Sequence, residues 1–172
     1  KLKAPVRLID MHIVQAYLKK RGITDLWEID PKPDKKFHQV VVIPAYGEAE
    51  LLPHTLTSLG KNDALILKDT LVIVVINNSV HSIESILKNN QTTLNNLKSK
   101  QYNYTLGVVD ATSSGFELPD KQAGVGLARK IGMDLSLPYL SSPESLIFCT
   151  DADTIVSKDY IEKVLTYFDT NR

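Results

Sequence analysis

Near the carboxyl end of the chain an apolar run, Leu146-Ile147-Phe148-Cys149, leads directly into Thr150-Asp151-Ala152-Asp153. Two carboxylates one residue apart at the end of a strand can hold a hard divalent cation. Mg²⁺ and Mn²⁺ take oxygen ligands and can bridge such carboxylates to the phosphates of a nucleotide. The same pair also occurs in ordinary turns and helix caps, so other polar clusters must decide between the two.

Three further clusters could share that chemistry. Pro44-Ala45-Tyr46-Gly47-Glu48 follows an apolar run. Glu48 is either a first-turn acid favoured by a helix dipole, or an acceptor for a base or sugar hydroxyl beside a wall made of Tyr46 and exposed backbone. Asn77-Asn78-Ser79 is either a turn with an N-cap for a helix starting near Ser82, or a base-edge contact in which an amide offers both donor and acceptor. Lys121 and Arg129 bracket Gly124-Val125-Gly126 and either face a diphosphate or are solvated ends of a surface helix. The glycine pair lacks the third glycine of a dinucleotide motif and does not directly follow a strand. It suits a helix start lying close to a ligand or to the sheet. His12, His38, His54 and His81 show no zinc-ligand spacing, and neither a Gly-x-Ser-x-Gly elbow nor a phosphate-binding Gly-x-x-x-x-Gly-Lys loop is present.

The elements that must carry these clusters alternate. Apolar runs at 37–43, 70–76, 104–109 and 145–149 predict strands, and residues 48–60, 82–100 (one helix or two), 124–135 and 158–168 predict helices between and after them. Near-continuous apolar strands between helices predict an α/β fold, Rossmann-like, with a mostly parallel sheet covered by helices on both faces. Ligands of such sheets sit beyond the carboxyl ends of the strands, where residues 44–48, 77–79, Asp110 and residues 151–153 fall. The loop 111–120 is polar and is expected to be mobile. Residues 6–20 predict an amphipathic helix stopped by Gly22, followed by a Pro-containing linker over 24–36 with Trp27 tucked onto the body. The domain division is thus 1–36 and 37–172.

With 172 residues and formal net charge zero, the chain is sized for one core and offers no basic stretch for nucleic acid. Cys149 is the only cysteine, compatible with a reducing, cytoplasmic compartment. The longest apolar run, 71–76, is far below the roughly 20 residues that span a bilayer. Any attachment to the inner face of a membrane is therefore expected through residues outside this chain.

Taken in order, residues 41–48, 74–79, 124–132 and 148–153 resemble the nucleotide-sugar glycosyltransferases of the GT-A fold, particularly the inverting family 2. The resemblance implies a UDP- or GDP-sugar donor with Mg²⁺ or Mn²⁺, and a glycan, lipid-linked or other hydroxyl as acceptor. It places Pro44, Ala45, Tyr46 and Glu48 in the nucleoside pocket and Asn77 and Asn78 at the base. Asp153 becomes the direct metal ligand, with Asp151 on ribose or metal-bound water. Gly47 stands where the family usually has Asn, and Asn77 where it commonly has Asp. In the family an acceptor half after the Asp-x-Asp strand supplies the catalytic base. That base is expected beyond Arg172, which makes these residues the donor-binding portion of a longer enzyme. A non-catalytic nucleotide-sugar-binding module is the alternative. A sugar-phosphate nucleotidyltransferase would want a Gly-rich basic loop after the first strand, which residues 44–48 do not provide.

Overall fold

The computed structural model describes residues 11–23 and 26–171. Its centre is a four-stranded sheet of β1 (Gln39–Ala45), β2 (Thr70–Asn77), β3 (Thr105–Ala111) and β4 (Leu146–Cys149), in the order β3-β2-β1-β4 with every pair parallel. Every residue of β1 and β2 is buried, which explains why both read as unbroken apolar runs. Their register, with Val41 opposite Val72 and Ile43 opposite Val74, brings the ends of the two strands level.

Alternate residues of these strands supply two cores. Val41, Ile43, Val72, Val74 and Ile76 pack with Leu52, Leu56 and Leu59 of α2 (Leu52–Leu59), Leu94 and Leu97 of α4 (Glu84–Ser99), and Ile161 of α6 (Tyr160–Thr170). Val40, Val42, Leu71, Ile73 and Val75 pack with Ala128 and Ile131 of α5 (Val125–Ser136). Helices therefore cover both faces, as expected. A Cβ on Gly132 would stand 2.4 Å from Val42 Cγ1, so this glycine sets how closely α5 lies on the sheet.

The expected helix over 48–60 begins later, at Leu52, because residues 48–51 form a turn and Pro53 suits only the first turn of a helix. A short α3 (Ala64–Lys68) follows, which the periodicity did not predict. Asp63 caps it by accepting from Leu65 N at 2.8 Å and Ile66 N at 3.2 Å. Within 82–100 the chain forms one helix, α4, over Glu84–Ser99.

The N-terminal helix α1 (Met11–Arg21) docks on this same domain, while residues 6–10 of the expected helix lie outside the described residues. The Asp134 carboxylate, 2% exposed, accepts from Tyr17 OH at 3.1 Å, Ile23 N at 3.2 Å and Lys130 Nζ at 2.7 Å. Past α1, Ile29 is buried in the α5-side core and Asp30 exchanges two 2.8 Å backbone bonds with Val108. Trp27 Nε1 donates to Phe116 O at 2.8 Å, which tucks the indole onto the body as expected. Among the described residues no helix is long and apolar enough to cross a membrane.

Candidate functional site

Because all four strands run parallel, the segments that leave their carboxyl ends meet on one rim. There they enclose a cleft of about 700 Å³, lined by Pro44, Tyr46 and Glu48 after β1 and by Asn77, Asn78, Ser79 and Ser82 after β2. The start of α5 adds Ala123, Gly124, Val125 and Arg129, with Asp120 just before it, and the segment after β4 adds Asp151, Ala152 and Asp153. A volume of this order suits a nucleotide-sized ligand.

The first wall is a turn. Gly47 has φ +74°, a left-handed conformation, and a Cβ there would also meet Ile86 Cδ1 at 2.7 Å. Asn tolerates that region of backbone space better than most residues, so an Asn-to-Gly exchange at this turn preserves its shape. The turn leaves Tyr46 48% exposed toward the cleft. Glu48 lies ahead of α2 rather than in its first turn, and so is not a helix-dipole acid. Burial, and then the neighbouring Asp153 carboxylate, push the Glu48 carboxyl above its ordinary range.

Asn77 closes β2 and is not an N-cap, since α4 begins only at Glu84. Its Nδ2 donates to Ala45 O at 3.1 Å and Val75 O at 3.3 Å, so Oδ1 is the atom its amide presents. The Asn78 side chain is largely engaged. Its Oδ1 accepts from Asn90 Nδ2 at 3.0 Å and from Thr112 Oγ1, and its Nδ2 donates to Ser79 O at 3.2 Å.

The segment after β4 is fixed from below by α2. Thr55 Oγ1 donates to Ala152 O at 2.6 Å, and Val156 N donates to Ser58 Oγ at 3.0 Å. Buried Ala152 thus anchors the turn while Asp151 and Asp153 on either side of it stay exposed. Arg129 Nη2 reaches across from α5 to Asp151 Oδ1 at 2.5 Å, and the buried Arg129 Nε has no partner among the described residues. Four carboxylates and one guanidinium line the cleft, a balance of charge under which an accompanying cation would favour the entry of an anion.

The donor set fits such a cation in kind. Asp151 and Asp153 offer hard carboxylate oxygens, and among the described residues no group of three or more His, Cys, Asp or Glu gathers to hold a metal by itself. A hard divalent ion held by these two carboxylates would need its remaining oxygen ligands from water or from a bound ligand.

Of the expected site residues, Pro44, Tyr46, Glu48, Asn77, Asn78, Arg129, Asp151 and Asp153 come together. The Ala45 side chain is 1% exposed and belongs to the core, leaving only its backbone near the site. Lys121 is exposed and does not line the cleft. Asp110 does not line the cleft and instead organises its own loop, accepting from Thr112 N, Ser113 N and Ser113 Oγ. That loop, expected to be mobile, is also tied by Leu118, which is 1% exposed and whose N–H donates to Asn78 O at 2.8 Å. Sequence reasoning missed Asp120 and two amides behind the wall. Asn90 Oδ1 accepts from Gly47 N, and Asn89 Oδ1 accepts from Ala49 N, both at 2.9 Å. The available signal was an Asn pair in the middle of an amphipathic helix, where Asn is a poor choice for propensity.

Among solved structures, the chain is similar to S. aureus TarS 1-349, with a TM-score of 0.47 and 19% identity over 77% of this chain and 32% of that one. The same protein in complex with UDP-GlcNAc gives a TM-score of 0.46 and 18% identity, covering 77% of this chain and 31% of that one. The chain thus spans about a third of the length of these structures. No curated protein matches it. Residues 40–172, from the start of β1 through α6, match the family described as Glycosyl transferase family 2. With that match covering every strand and each segment that lines the cleft, the chain belongs to glycosyl transferase family 2.

Proposed function

We propose that this chain binds a nucleoside-diphospho-sugar together with Mg²⁺ or Mn²⁺, as the donor half of an inverting transfer of the sugar to an acceptor hydroxyl. The observation that carries the reading is the convergence of a half-exposed tyrosine, an amide acceptor, a helix start and an Asp-x-Asp pair on one cleft. Tyr46 offers its ring to the base, and Asn77 Oδ1 accepts from a base N–H, a role that the amide fills as well as the family's carboxylate would. Glu48 accepts from a ribose hydroxyl. The backbone N–H groups at the start of α5 and the Arg129 guanidinium face the diphosphate. Asp153 is the direct metal ligand, and Asp151, oriented by Arg129, contacts ribose or metal-bound water. When bound, the divalent ion supplies Lewis-acid stabilisation of the leaving nucleoside diphosphate.

Calorimetric titration of UDP and of GDP, with and without Mg²⁺ or Mn²⁺, tests this. Because four of the five charged side chains that line the cleft are carboxylates, the ion should strengthen binding by about tenfold or more, equivalent to about 1.4 kcal/mol. Asp153→Ala should remove that gain. Titrations unaffected by the ion, or a gain that survives the substitution, contradict the proposal.

A further inference from the structure

We propose that Asn90 is a positioning residue that sets the nucleoside end of the cleft without touching the ligand. It lies in the interior of α4 and is fully buried. Its amide Oδ1 accepts from Gly47 N at 2.9 Å, while its Nδ2 donates to Asn77 O at 3.0 Å and to Asn78 Oδ1 at 3.0 Å. Both amide hydrogens and one acceptor site are therefore engaged on two separate segments, the turn after β1 and the end of β2. Those segments carry Tyr46 and Glu48 on one side and Asn77 and Asn78 on the other.

Packing alone does not explain the residue. A buried helical position is served better by an apolar side chain, since Asn has lower helix propensity and a buried amide must be fully satisfied. Two of its three partners are backbone groups at the ends of separate elements. The Gly47 N–H belongs to a left-handed turn, and the Asn77 carbonyl sits at the last residue of its strand. Neighbouring Asn89 extends the arrangement by accepting from Ala49 N. One stretch of α4 thus fixes the spacing between the tyrosine wall and the base-facing amide. Affinity for the nucleoside depends on that spacing.

This inference rests on the donor-binding reading, and the test separates the two. In the ligand-free full chain, Asn90→Leu should speed amide exchange at Gly47 by about tenfold or more while the β1 and β2 core amides stay protected. With UDP and Mg²⁺, Asn90→Leu and Asn90→Asp should each weaken binding by about tenfold. Asn90→Asp keeps the oxygen facing Gly47 but loses both donations. Thr93→Val removes a hydroxyl of the same helix that donates to the Asn89 carbonyl, and should leave affinity unchanged. A folded Asn90→Leu with unchanged Gly47 exchange overturns the positioning role whatever the ligand does. Should Asn90→Leu not fold, near-normal affinity in Asn90→Asp overturns it instead. If the unsubstituted chain binds no nucleoside diphosphate, the donor-binding reading fails, and Gly47 exchange alone decides the role of Asn90.

Discussion

Glu48, which lines the cleft, works against the fold that holds it. Burial, and then Asp153, raise its pKa, so the folded chain holds the Glu48 proton more tightly than the unfolded chain does. Ionised Glu48 therefore costs stability at neutral pH, and the cost disappears as pH falls below the ordinary glutamate value of 4.5, where both states are protonated. Glu48→Gln should raise Tm at neutral pH, with the gain vanishing below that value. Thermal denaturation across pH checks this, and an unchanged Tm at neutral pH contradicts it. The same substitution should weaken nucleoside binding, because a carboxylate acceptor for a ribose hydroxyl is lost. In the native protein, binding should begin to fall off at a higher pH than an ordinary glutamate would produce. Asp151 stands apart, already facing a guanidinium in Arg129.

Among the helices, α5 does two jobs, starting at the cleft and lying close on the sheet. Gly132→Ala should cost about 1–3 kcal/mol by overpacking against Val42, read from the denaturant midpoint. The far end of α5 anchors α1 through the buried Asp134 carboxylate. Asp134→Ala should cost about 1–3 kcal/mol and leave the α1 amides exchanging faster than those of the sheet. Much of this layer was legible in the sequence. β1 and β2 declare themselves because burial on both faces demands apolar residues at every position, and α5 because one apolar face recurs at helical spacing. The start of α2 was misplaced because Glu48 resembles a first-turn acid while Pro53 marks the true first turn. Helix α3 escaped notice because a single capped turn has no periodicity to show. Asn89 and Asn90 were unread for another reason: their meaning lies in bonds to other segments of the chain, 12 to 43 residues away, and no local pattern encodes those.

For the molecule as a whole, a parallel sheet turns sequence order into spatial convergence. Every strand delivers its trailing residues to the same edge, so clusters after β1, β2 and β4 had to meet once the strands were recognised. The sequence could not show which residues at those positions face the cleft. Pleating sends Ala45 into the core, Asp110 is occupied by its own loop, and Lys121 lies in an exposed turn short of α5. What the assembled rim adds is its charge balance, with four carboxylates around one arginine, and this makes the account depend on a cation accompanying the nucleotide. The most direct measurement is an amide NMR titration with UDP and paramagnetic Mn²⁺. The account predicts line broadening centred on Asp151, Asp153 and Glu48, reaching Gly124 and Val125, and dependent on the nucleotide. Broadening centred elsewhere on the chain, or none when both are present, would contradict it.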